Sequence, residues 1–143
     1  MIAVAALAAA IAIAVIVYSM SIQTNSGIPN VKFTEFTPDK MDIRVGESTK
    51  ILFNVQNLEM RPIVDAQVVI VIEPSSYQPY LTIQNQTTEL PDLYGKDART
   101  GQMQAVINAV NAPAKEALYT VKGVLFVEDK QSDVKDFEFR VRQ

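Results

Sequence analysis

"IVDAQVVIVIEP" (residues 63–74) is the stretch on which the fold turns. Val64, Ala66, Val68, Ile70 and Ile72 recur at every second position, the period of a strand rather than of a helix. Val69 and Val71 make the opposite face apolar as well, as expected of a central strand partly covered on both sides.

Alternation continues in both directions from it. Upstream, "STKILFNVQN" (48–57) points Ile51, Phe53 and Val55 one way and Lys50, Asn54 and Gln56 the other. Before that, Gly46 and Glu47 form a turn, and "MDIRV" (41–45) sets Met41, Ile43 and Val45 against Asp42 and Arg44. "VKFTEFT" (31–37) precedes it across a turn at Pro38 and Asp39. Downstream, "PYLTIQN" (79–85) reads as a short edge strand, and the polar stretch from Gln86 to Gln102, with Pro91, Gly95 and Gly101, as a long loop. "MQAVINAV" (103–110) is the next strand. "LYTVKGVLFVED" (118–129) alternates Tyr119, Val121, Gly123, Leu125 and Val127, and "SDVKDFEFRVR" (132–142) ends the series with Phe137, Phe139 and Val141. Short strands, frequent turns and no helical periodicity after residue 30 predict an all-β, antiparallel β-sandwich over residues 31–143, with a closed barrel as the alternative.

Three stretches, "RVGESTKILFNVQN" (44–57), "PIVDAQVVIVIEP" (62–74) and "APAKEALYTVKGVLFVED" (112–129), resemble the immunoglobulin-like modules of archaeal and bacterial surface proteins. The resemblance spans roughly residues 38–142 and implies an immunoglobulin-like sandwich. It also gives Tyr119 two readings: a corner tyrosine whose hydroxyl bonds back to upstream backbone, or an ordinary core aromatic.

The first segment is unlike the rest. "MIAVAALAAAIAIAVIVYSM" (1–20) opens a stretch without a charged side chain that lasts to Val31. As a helix, Ile2–Ile22 would be about 31 Å long, against about 30 Å of bilayer hydrocarbon. No basic residue precedes the run as a secretory signal would have it, so a retained helix over residues 1–22 is expected, followed by a polar hinge at 23–30. Leu7 is the sole leucine of the run, and Ala3, Ala6, Ala10 and Ala14 share one helical face. Small side chains at that spacing let a second helix approach closely. Tyr18 suits the headgroup level. The expected location is the cell membrane, with the C-terminal domain extracytoplasmic.

Composition removes whole chemistries. There is no Cys, His or Trp, hence no disulfide, no thiolate or imidazole ligand and no nucleophile paired with a His base. The net charge of −3 provides no basic footprint for nucleic acid. Glu89, Asp92 and Asp97 form the nearest approach to an acidic cluster, without the spacing of a calcium loop, and read as a solvated loop. The expectation is a non-enzymatic protein without cofactor or metal. Asn85-Gln86-Thr87 is a candidate glycosylation acceptor.

An apolar N-terminal helix, a short hinge and one disulfide-free sandwich together resemble the subunits of archaeal type IV pilus-like machines, including pilins and archaellum proteins. The resemblance implies a structural subunit whose helix packs with other helices in a membrane or filament. Its sandwich would then contact proteins outside the cytoplasm. The alternative is a single-pass accessory subunit docking on a larger membrane complex.

Overall fold

In the computed structural model, residues 27–143 are described. They form β1 (Val31–Pro38), β2 (Asp42–Arg44), β3 (Ser48–Asn57), β4 (Ala66–Glu73), a 3-10 turn (Ser75–Tyr80), β5 (Leu81–Gln84), β6 (Thr87–Glu89), β7 (Met103–Ala109), β8 (Glu116–Val127) and β9 (Lys130–Arg142). The strands make two sheets, ordered β1-β3-β7-β5 and β2-β9-β8-β4-β6. Every pairing is antiparallel except that of β2 with β9, where Ile43 lies beside Val141. The expected β-sandwich is present, and no helix among the described residues is long and apolar enough to cross a membrane. The helix expected over residues 1–22 lies outside the described residues.

One apolar cluster fills the space between the sheets. Ile51, Phe53, Val55, Ala105 and Ile107 come from the first sheet, and Val68, Ile70, Ile72, Tyr119, Val121, Leu125, Phe139 and Val141 from the second. Tyr119 is fully buried and packs on Phe139 with ring centroids 6.1 Å apart. Burying side chains of this size contributes about 1.5–3 kcal/mol each, which lets the sandwich form without disulfides.

A glycine and a phenylalanine close one edge. Gly123 occupies an inward position of β8, and the ring of Phe36 on β1 fills the place its side chain would take. That ring lies between Phe33, at 5.3 Å, and Phe137, at 5.5 Å, tilted against both. The register of β1 against β3 shifts between Phe33 and Glu35, which brings Phe33 and Phe36 into contact despite their odd spacing.

Some expectations are corrected. β4 starts at Ala66, so Val64 is 59% exposed, and Ile63 is buried in its place through mutual backbone hydrogen bonds with Leu93. Met41 is exposed because β2 spans only Asp42–Arg44. β4 is flanked on both sides, by β8 and the three-residue β6, and Val69 on its second face is buried, as its apolar second face led one to expect. The stretch 86–102, read as a plain loop, contains β6, whose Thr87, Thr88 and Glu89 pair with Val69, Val68 and Gln67.

Because the described residues build an inter-sheet core of their own, a fragment of residues 29–143 is expected to fold by itself. A far-ultraviolet spectrum typical of β structure and a cooperative melt are the expected results. A fragment without a melting transition would show that residues 1–28 are needed for the fold.

Candidate interaction surfaces

Three loops and the start of the described chain meet at one end of the sandwich: residues 58–65, residues 90–99 and the β8–β9 turn, beside Gly27–Asn30. The chain is tied down as it arrives. Gly27 O accepts from Lys130 Nζ at 3.3 Å, and Asn30 N–H donates to Glu59 Oε1 at 2.8 Å while Asn30 O accepts from Leu58 N–H. Buried Ser132 Oγ accepts from Val31 N–H at 3.2 Å and shares its own proton between Pro29 O, at 2.7 Å, and Val31 O, at 2.6 Å. Phe33 N–H donates to Asp133 Oδ2, so the start of β1 is latched to β9 of the opposite sheet as well as to β3.

Asn57 organises the loops at the same end. Fully buried at the last position of β3, its Nδ2 donates to Arg61 O, Leu93 O and Gly95 O, and its Oδ1 accepts from Glu59 N–H. Glu59 and Glu128 both bind the Arg61 guanidinium at 2.6 Å. The Asn30 N–H, and after it Arg61, hold the Glu59 carboxyl below its usual 4.5. A carboxyl lowered on folding stabilises the fold above its unfolded pKa, and that contribution disappears as pH falls through the lowered folded value. Glu59→Gln is therefore expected to lower the melting temperature at pH 7, and the difference from wild type should vanish in strong acid. A difference independent of pH would show that the charge of Glu59 has no part in holding the chain here.

The other end of the sandwich carries a row of ions. Arg140 Nε binds Glu116 at 2.7 Å, and Asp42 receives Arg142 at 2.8 Å, with Arg140 at 4.0 Å. Met41 and Leu118 are exposed beside this row, and with Asp42, Glu138, Phe139 and Arg140 they line an open cleft of about 290 Å³. Exposed ion pairs of this kind contribute only about 0–1 kcal/mol each, so the row defines a surface more than it holds the fold.

The anticipated positions fall as follows. Asn85 is exposed in the turn between β5 and β6, at φ 60°, a left-handed conformation that Asn tolerates. Thr87 of the same tripeptide is also exposed. Glu89, Asp92 and Asp97 are not gathered: Asp92 accepts from the Tyr94 hydroxyl at 2.9 Å, Asp97 from Gln56 Nε2 at 3.2 Å, and Glu89 lies on β6. Among the described residues no group of acids is placed to hold a metal ion. Ala3, Ala6, Ala10 and Ala14 lie outside the described residues.

No family model matches the chain, and no curated protein does. Solved structures resemble it at the level of the fold. The CARDB domain of PF1109 from Pyrococcus furiosus is 13% identical with a TM-score of 0.54, over 80% of this chain and 96% of that one. AvmM, which catalyses macrocyclization in alchivemycin A biosynthesis, is 9% identical with a TM-score of 0.53, over 85% of this chain and 95% of that one. The alkylpurine DNA glycosylase AlkC of Pseudomonas fluorescens, bound to DNA containing an abasic site analog, is 14% identical with a TM-score of 0.52, over 80% of this chain. This chain spans only 31% of the glycosylase. Proteins as different as these share a β-sandwich, so the likeness is one of fold and carries no activity across.

Proposed function

We propose that the protein is a non-enzymatic structural subunit of a cell-surface machine of the archaeal type IV pilus or archaellum kind. In this reading the helix Ile2–Ile22 packs against other helices in a membrane or filament, and the sandwich makes protein contacts outside the cytoplasm. The observation that carries it is the joint between the two parts. An uncharged apolar stretch leads into Pro29–Val31, whose backbone is bound by Ser132 and Glu59 at the end of the sandwich. A load on the helix would therefore reach both sheets through the start of β1.

An immunoglobulin-like reading of the sandwich supports this. The order β1-β3-β7-β5 opposite β9-β8-β4 corresponds to strands A-B-E-D opposite G-F-C of that fold, and Tyr119 sits near the start of the F-equivalent strand. The exposed Met41, Leu118 and ion row at the far end supply a surface for a partner protein.

The test replaces Ala6, Ala10 and Ala14 with Leu and scores membrane retention and assembly separately. Leucines raise the apolarity of the segment but hold a partner backbone away, so retention should persist and assembly should fail. Unchanged assembly would reduce the segment to a plain anchor and remove the reading.

A further inference from the structure

A patch on the outward face of the second sheet is buried like a core. Val69, Val124 and Val134 form one row across β4, β8 and β9, with Phe126 on one side of it and Val71 on the other. Side chains on a solvent-facing sheet are ordinarily part-exposed, yet Val69 and Val124 are 2% exposed and Phe126 is 4% exposed. Gln131, paired with Phe126, has its Oε1 buried without a hydrogen-bond partner. The contacts between strands and the 3-10 turn among the described residues place no such element across this face.

We propose that residues 1–26 of the same chain cover this face before the subunit assembles, sheltering the apolar segment and the apolar sheet from water together. Two observations favour that occupant. The described chain begins at Gly27, held by Lys130 Nζ next to Gln131 and one strand from Phe126, so the remaining residues depart beside the patch. Those residues are uncharged and mostly apolar, and as a helix of about 31 Å the segment Ile2–Ile22 spans the roughly 26 Å of an eight-residue strand such as β4. Assembly would then require release of the segment, which frees the sheet face for a neighbouring molecule. This assembly step rests on the function proposed above, whereas the covering of the face does not.

Because the chain has no cysteine, paired cysteines test the contact directly. Val71→Cys or Val134→Cys, both only partly buried, is combined with Ala6→Cys, Ala10→Cys, Ala14→Cys or Val17→Cys in the full chain, oxidised without detergent. Lys115→Cys, exposed at the opposite end, serves as the reference partner. At least one pair should form an intramolecular disulfide about tenfold faster than its reference, as a docked pair exceeds one that meets only through its tether. A native β spectrum checks the fold of each variant, and the two sheet positions replace one another should either disturb it. Links predominantly between two chains would make a second copy the occupant and overturn the proposal, as would no preference over the reference. Membrane retention is scored on the same variants. Retention without the intramolecular link overturns the covering and leaves the structural-subunit reading intact. The link with neither retention nor assembly upholds the covering and removes that reading.

Discussion

Ile70→Asp should leave no folded sandwich. Ile70 is 0% exposed on the inward face of β4, opposite Gly123 of β8 and within the single cluster between the sheets. A carboxylate there would meet apolar side chains and no donor. Burying an unpaired charge costs several kcal/mol even when the group responds by taking up a proton, a large part of the roughly 5–15 kcal/mol that holds a domain of this size. Val68→Asp should behave alike, since Val68 lies on the same face. Val64→Asp is the control. Its alternation with Ala66 and Val68 puts it on the same face by sequence, but its side chain is exposed, so the change should stay within about 0.5 kcal/mol. Equal melting curves for Ile70→Asp and wild type would overturn the assignment of that strand's inner face.

Gly123→Val is the second large effect, and it arises from shape rather than charge. A Cβ at Gly123 would overlap Phe36 Cε2 and lie within 2.8 Å of two further ring atoms. The ring has little room to retreat, being held between Phe33 and Phe137. Overpacking of a filled core costs about 1–3 kcal/mol, and a contact this short belongs at the upper end. Chemical denaturation should show that loss, and Phe36→Leu should cost less in the Gly123→Val background than in wild type. Strictly additive losses from the two substitutions would show that the ring does not occupy the glycine's space.

Much of this fold was legible as alternation, because one buried face per strand imposes period two on the side chains. Ile51, Phe53 and Val55 on β3, and Tyr119, Val121, Leu125 and Val127 on β8, all take the inward positions that their spacing indicates. Where long-range pairing decides, alternation misleads. Val64 continues the pattern of β4, yet the hydrogen bonds of Ile63 with Leu93, thirty residues away, bury Ile63 instead. β6 could not be read from Thr-Thr-Glu, which carries no apolar side chain and is a strand only because β4 offers an edge. The surface that organises the end of the sandwich was also missed, although a signal existed. Thr49 and Asn57 share the inward parity of Ile51 on β3, and a polar residue in an inward position needs a buried partner. Asn57 finds loop backbone from Glu59 to Gly95, and Thr49 Oγ1 contacts Asp39 Oδ1 at 2.8 Å and Lys40 O at 2.7 Å. Ser132 gave no such warning, because its partners, Pro29 and Val31, are about a hundred residues distant.

In the function proposed here, the apolar first segment is an assembly element ahead of a β-sandwich whose first strand is tied to both sheets. Electron microscopy of membranes from cells producing the full chain tests it most directly. Polymers that repeat one sandwich per subunit around a core of packed N-terminal helices are the predicted result. Particles holding the chain at a fixed low copy number, with its first segment isolated in lipid, would contradict it.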